Sequence, residues 1–301
     1  MTSPFDEVIN RYNTNSMKWD GARERFGEDN LLPMWVADMD FRVPTPVVEA
    51  LKKVAEHGIF GYTVRPDSFY QSLIDWFWRR HRWTIEKEWI HITPGVVPAL
   101  SMIVQAFTNP GDKIVIQSPV YHPFFHVVNK NERELVDNTL YFDGKQYRIN
   151  FADLEEKLSD PAVKMLILCS PHNPVGRVWA QGELTRLGEL CLKHDVLILS
   201  DEIHCDLIFK RYKHVPLSSI CEAFAQNTIT CVAPSKTFNL AGLQASAVII
   251  PNERHRRTFT ESLSIQDNGM TNTFSLAAFE AAYNHGESWL DELIDYLEGN
   301  L

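Results

Sequence analysis

The hydrophobic pattern changes character near Trp89. Beyond it, short and almost wholly apolar runs alternate with stretches at helical spacing: WIHIT (89–93), KIVIQ (113–117), KMLILC (164–169) and VLILS (196–200). Apolar runs without in/out alternation are what strands covered on both faces require. Between the last two, Leu184, Leu187, Leu190 and Cys191 make an apolar stripe at helical spacing. Strand, helix, strand in that order predicts a parallel sheet with right-handed crossovers. Another β-like run, NTITCV (227–232), lies further on, and Asn109-Pro-Gly-Asp112 marks a turn. Before Trp89, residues 1–45 are irregular, and a helix is expected from Thr45 with Pro46 in its first position. SLIDWFWRRHRW (72–83) interleaves aromatic and basic residues as a nucleic-acid patch would. Phe69, Leu73, Trp76, Phe77 and Arg80 instead give a packed stripe with a charged far face, so a structural helix is expected.

Composition narrows the class. The 301 residues are 45% apolar and 23% charged, as in an ordinary globular protein. A net charge of −10 argues against nucleic acid or an anionic membrane as the main partner. No apolar run reaches membrane-span length, and the polar start MTSPFDEVINRYNTNSMKWD lacks the apolar core of a signal peptide. The 5 scattered cysteines suggest no disulfide framework and fit a reducing cytoplasm.

In open α/β sheets, ligands bind beyond the carboxyl ends of the strands, and several chemical features fall there. TPGVVPAL (93–100) leads from a strand into a helix starting near Val96, whose free N–H groups favour an anion. In SPVYHPF (118–124), Tyr121 is placed either to stack on a flat ring or to join the core. In CSPHNPVG (169–176), two prolines bracket Asn173 and Gly176 permits a tight turn. In SDEIHCDL (200–207), Asp201 sits at the mouth of a buried strand, where a carboxylate is costly without a cationic partner. His204, Cys205 and Asp206 offer a metal reading, but no matching ligand spacing appears elsewhere. Finally, APSKTF (233–238) presents Lys236 after an apolar strand. It lacks the glycines of a phosphate-binding P-loop, and a G-x-G-x-x-G fingerprint is missing too. Lys236 is then either a surface lysine or, carried inward, an amine that loses its proton readily. An anion nest, an aromatic ring, a fixed amide, a buried carboxylate and a lysine together suit pyridoxal phosphate.

These words, with LPMWVADMDF (32–41), GIFGYT (58–63) and APSKTFNLAGLQ (233–244), resemble the class I/II aminotransferases, the fold-type I pyridoxal-phosphate enzymes, over almost the whole chain. Within that family the chain is most similar to the PatB/MalY-type cystathionine β-lyases, or C–S lyases. The resemblance implies an α/β fold with a mostly parallel central sheet covered by helices. It divides the chain into residues 1–45 (part of a small domain), 46–290 (the large cofactor domain) and 291–301 (the start of the C-terminal small domain). It implies Lys236 as the covalent anchor and base, Asp201 at the ring nitrogen, Asn173 at the ring hydroxyl and facing the substrate, and Tyr121 stacked on the ring. Val96, Val97 and Ser235 are implied at the phosphate, Tyr62 at the neighbouring subunit's phosphate in a homodimer, and Ala37 in the substrate pocket. His204 and Gln244 stand where many aminotransferases have a tyrosine and an arginine, so the phosphate is expected to rely on backbone N–H groups and hydroxyls. The family's carboxylate-clamping arginine would lie beyond residue 301, so reduced turnover is expected of residues 1–301, and Leu31, Leu32, Met34 and Trp35 are expected to be partly exposed.

The activity implied is release of a thiol, pyruvate and ammonia from cystathionine and related sulfur amino acids in the cytoplasm, without a metal. A true aminotransferase, a regulatory protein keeping the cofactor fold, and an α/β enzyme with another phosphate-bearing cofactor are the alternatives.

Overall fold

The computed structural model describes residues 3–28, 31–265 and 270–301. Its strands are β1 (Ile90–Thr93), β2 (Lys113–Ile116), β3 (Glu134–Asp137), β4 (Tyr141–Phe142), β5 (Tyr147–Arg148), β6 (Val163–Cys169), β7 (Leu197–Asp201), β8 (Thr228–Val232) and β9 (Ser246–Ile249). β4 and β5 form a small separate hairpin. The others make one 7-stranded sheet in the order β1-β9-β8-β7-β6-β2-β3. β3, β2, β6, β7 and β8 pair in parallel, and β9 is antiparallel to both β8 and β1. Because β9 alone is reversed, β1 points the same way as β8. The carboxyl ends of β1, β6, β7 and β8 therefore lie along one edge of the sheet.

The unbroken apolar runs seen in the sequence have a simple cause in β6. Met165, Ile167 and Cys169 enter one apolar cluster, and Val163, Leu166 and Leu168 enter another on the opposite face. The first cluster is closed by the helices Val96–Phe107 and Pro123–Lys130, the second by Phe151–Leu158 and Gln181–Lys193. In the last helix Leu184, Leu187 and Cys191 are fully buried and Leu190 is partly so. β1 departs from the expected full cover. It lies at the sheet edge, where His91 and Ile92 are only half-buried.

A third cluster joins the helices Thr45–His57, Asp67–His81, Thr273–His285 and Glu287–Gly299 to the β8–β9 side of the sheet. Thr45 opens its helix with proline in the first turn, and Gly58, at φ 71°, closes it in the left-handed region that glycine tolerates. In Asp67–His81 the side chains of Phe69, Leu73, Trp76 and Phe77 are 0–1% exposed. Phe69 stacks on Phe279 at 4.5 Å, and Arg80 pairs with Asp291 at 2.7 Å. Trp76, Phe77 and Trp83 of this basic-looking stretch are thus core, while Trp78 faces outward. Glu287–Gly299 spans positions 290 and 291, and its Leu290 and Ile294 share the cluster with Phe69 and Trp76. In the N-terminal segment, Phe5 packs against Phe41, Trp289 and Tyr296. Leu32 and Met34 are exposed, while Leu31 and Trp35 are half-buried.

Packing this tight sets a graded expectation. Phe69→Ala should destabilise by about 3–5 kcal/mol through lost burial and the cavity left behind. Trp78→Ala, on the exposed face of the same helix, should change stability by no more than about 0.5 kcal/mol. Denaturant-unfolding midpoints of the two variants make the comparison. Equal shifts would contradict the assignment of faces.

Candidate active site

Asp201 ends β7 in register with Cys169 of β6 and Cys231 of β8, at the centre of the sheet's carboxyl edge. Successive strand residues point to opposite faces, and the two neighbouring acids are separated in this way. Glu202 turns into protein, where it accepts hydrogen bonds from Ser200 Oγ (2.9 Å), Leu217 N (3.2 Å) and His214 Nε2 (2.8 Å). Asp201 turns into a cavity of about 200 Å³. It is 3% exposed and accepts the Ile203 N–H at 3.1 Å. No ion pair reaches it among the described residues. Burial, with the Glu202 charge beside it, pushes its carboxyl up to about 7, against the weaker pull of Lys236.

The same cavity is lined by Ala37, Val96, Val97, Tyr121, Asn173, His204 and Lys236, and by Gly95, Pro98, Cys169 and Ile203, which sequence reading did not single out. Val96 and Val97 form the first turn of Val96–Phe107, where backbone N–H groups lack intrahelical partners. Asn173 N–H meets Cys169 Sγ at 3.4 Å, and Gly176 supports the following turn at φ 68°. Tyr121 is half-buried, and burial together with Asp201 raises its hydroxyl pKa, so it is a neutral ring. Burial holds His204 at about 4, also neutral.

Lys236 lies in the short helix Pro234–Thr237 directly after β8. Burial lowers its pKa, while the carboxylates of Asp38 and Asp201 work in the opposite direction. Its helix is anchored from below. Thr237 Oγ1 donates to Asp206 at 2.9 Å, and Asp206 also accepts from Trp76 Nε1 (3.1 Å) and pairs with His81 Nε2 (2.8 Å). Asp206 is fully buried, which favours its acid form, but the bonds from His81 and Thr237 hold its carboxyl below the usual range. The metal reading therefore changes. The ligand atoms that gather within 4.8 Å belong to His81, Cys205 and Asp206, with His204 elsewhere in the cavity. Asp206 already has both oxygens engaged.

Not every expected residue lines this cavity. Ser235 is half-buried beside Lys236 but outside the lining. Tyr62 is 92% exposed, on a segment with exposed Ile59, Phe60 and Val64. Gln244 is exposed. Sequence reading missed Asn239. Its side chain accepts Met39 N–H at 2.9 Å and donates to the carbonyls of Met39 and Phe41 at 3.0 Å each, fastening the 37–41 segment beside Lys236. Its φ of 60° is a conformation asparagine tolerates better than most residues, and an asparagine just after a short helix was the available signal.

A central buried carboxylate, an amine, an unpaired helix N-terminus and an aromatic ring on one sheet edge define an α/β protein with a cofactor-type pocket. The model of the family "Aminotransferase class I and II" matches residues 30–300, and the chain belongs to that family. It is 52% identical to cystathionine beta-lyase PatB of Bacillus subtilis over 297 residues, covering 99% of this chain and 77% of that protein. Among solved structures, a pyridoxal-phosphate-bound Clostridium difficile 630 protein named for an assumed aminotransferase activity superposes with a TM-score of 0.96 at 48% identity, covering 98% of this chain and 76% of the other. The pyridoxal-phosphate-bound C-S lyase of Staphylococcus hominis gives 0.92 at 35% identity, covering 100% and 75%.

The buried carboxyl has a stability signature of its own in cofactor-free protein. Its folded value, about 7, lies above its ordinary 3.8. Its full stability is therefore present below about pH 4 and is lost as pH rises to about 7. Asp201→Asn escapes that loss. Its advantage over wild type should grow between those limits and level off above them, at no more than about 4 kcal/mol at 1.36 kcal/mol per pKa unit. Unfolding midpoints measured from pH 4 to pH 8 test this, and a constant difference would show that Asp201 titrates normally.

Proposed function

We propose that this chain is a pyridoxal-phosphate-dependent carbon–sulfur β-lyase that converts cystathionine and related cysteine S-conjugates to a thiol, pyruvate and ammonia. The observation that carries the reading is 52% identity to a cystathionine β-lyase across 99% of this chain. The cavity residues fit the cofactor. Asp201 is a buried carboxyl that no ion pair reaches among the described residues, which suits a protonated ring nitrogen. Lys236 is an amine whose charge is weakened by burial, which suits attachment to an aldehyde. The turn at Val96 and Val97 suits a phosphate, favoured there by ~0.3–1 kcal/mol and by up to ~2 kcal/mol when partly buried.

Bound there, pyridoxal phosphate supplies an aldehyde for the substrate amine and a ring that accepts electrons from Cα. Asp201 holds a proton at the ring nitrogen. Asn173, in the same cavity, would hold the ring hydroxyl oxygen and face the substrate carboxylate. Tyr121, which lines the cavity, would cover the ring and keep water from it. Lys236 anchors the cofactor, and its Nζ then takes the Cα proton, a transfer worth ~10²–10⁴ in rate. Loss of that proton lets the Cβ–S bond break. The sulfur leaves as a thiol, and water converts the remainder to pyruvate and ammonia.

The reading extends to a cytoplasmic homodimer with shared sites, in which Tyr62 reaches the partner's phosphate. It is supported by the exposed apolar segment at Ile59, Phe60, Tyr62 and Val64. It further assigns residues 1–45 and 291–301 to a second domain, supported by the packing of Phe5 on Tyr296. The Clostridium difficile relative favours one competing reading, amino-group transfer to a keto acid.

The test uses cofactor-loaded chain with cystathionine and no keto acid. Pyruvate and homocysteine should appear in equal amounts, and Lys236→Ala should remove the activity and the covalent cofactor together. Turnover that depends strictly on an added keto acid would establish the aminotransferase instead.

A further inference from the structure

The mechanism leaves one acidic side chain near the cavity without a role. Asp38 follows Ala37 of the cavity wall. Its Oδ2 accepts from Arg11 at 2.7 Å, while its Oδ1 is buried and has no hydrogen-bond partner. A buried carboxylate oxygen left unmatched is costly, and such atoms call for an explanation. The backbone around it is held firmly. Asn239, three residues after Lys236, ties down Met39 and Phe41, and Lys18 Nζ donates to the Asp38 carbonyl at 3.0 Å. The carboxylates of Asp38 and Asp201 both favour the charged form of Lys236, against its burial.

We propose that Asp38 is a positioning residue for Lys236: its unmatched oxygen is the counter-charge that holds a proton on the lysine amine. The assignment builds on the lyase reading, in which Lys236 must first accept the Cα proton and then give it up. Asp201 cannot serve that purpose alone, because in that reading its charge is committed to the ring nitrogen. The other titratable groups in the cavity supply no anion. Tyr121 is a neutral phenol, Cys169 stays a thiol because burial pushes it up, and His204 is neutral. Around Asp38 itself the charges are Arg11, Lys18 and Asp40. Asp40 is spent on Arg11 (2.7 Å), Lys18 (2.7 Å) and Trp19 Nε1 (2.9 Å).

The test reads Lys236 directly in the cofactor-free chain. The pH dependence of its acetylation is followed by peptide mass spectrometry in wild type, Asp38→Asn and Asp40→Asn. Removing an anion disfavours the ammonium form, so Asp38→Asn should lower the apparent pKa of Lys236 and make it about tenfold more reactive at a fixed pH below that value, for a shift of ~1 unit. Asp40→Asn breaks bonds to the same Arg11 and Lys18 but should leave Lys236 unchanged. An unshifted Lys236 in Asp38→Asn, or equal shifts in both variants, overturns the proposal. Should Asp38→Asn not fold, Arg11→Gln carries the test with the opposite sign. It removes the cation competing for Asp38, so the Lys236 pKa should rise, and no rise refutes the assignment. None of these readouts needs turnover, so failure of the lyase reading would show separately as absence of pyruvate.

Discussion

Removal of two opposite charges from water at one edge of the sheet is the constraint on which the rest of this molecule turns. Desolvation drives Asp201 toward the acid and Lys236 toward the free amine, and their mutual attraction opposes both changes without cancelling either. A pair left in this condition is poised to bind something that carries a positive charge at one end and an electrophile at the other. Parallel pairing makes the arrangement possible. β6, β7 and β8 deliver Cys169, Asp201 and Lys236 to the same edge because all three run in one direction. The reversed β9 lets β1 bring Val96 and Val97 there as well.

Holding such groups in place costs free energy that must be offset beneath the site. Glu202 and Asp206 serve that purpose, although they belong to the same SDEIHCDL segment as Asp201. Glu202 is saturated by Ser200, His214 and Leu217. Asp206 links Trp76 of the Asp67–His81 helix to Thr237, the neighbour of Lys236. Breaking one side of a buried, charge-assisted contact of this kind leaves the partner unpaired, which costs more than the contact contributes. The helix once open to a nucleic-acid reading thus acts at a distance from the chemistry, by fixing the platform of the lysine.

What was legible in the sequence follows from the same physics. β6 and β7 announced themselves because both faces are buried, leaving no polar alternation. Asp201 stood out because a carboxylate at the end of such a strand has no cheap environment. β9 escaped notice because SAVI is short and begins with Ser246, whose hydroxyl is matched by Thr93 at 2.7 Å, a partner 153 residues away. β3 is half-exposed and mixes charges with apolar residues, so its pattern carries no clear period. The division of labour between Asp201 and Glu202 needed the register of β7, and the cluster of His81 with Cys205 needed a fold that crosses more than a hundred residues.

The WVADMDF word shows how a local sequence can owe its place to distant contacts. Residues 35–41 have no strand or helix of their own. Their backbone is ordered by a single asparagine side chain 200 residues later, and by Arg11 and Lys18 earlier in the chain. Closing a loop that long costs only modestly more entropy than closing one half its length, since the penalty grows with the logarithm of loop size. Three hydrogen bonds with one side-chain amide are therefore an economical way to hold the 37–41 segment beside the turn that carries Lys236. Asn239 can offer a donor and an acceptor to the same stretch of backbone, which an aspartate or a leucine in the same turn could not. Ala37 and Asp38 are consequently held at the cavity by the same turn that carries the lysine, so any movement of that turn moves the pocket wall with it.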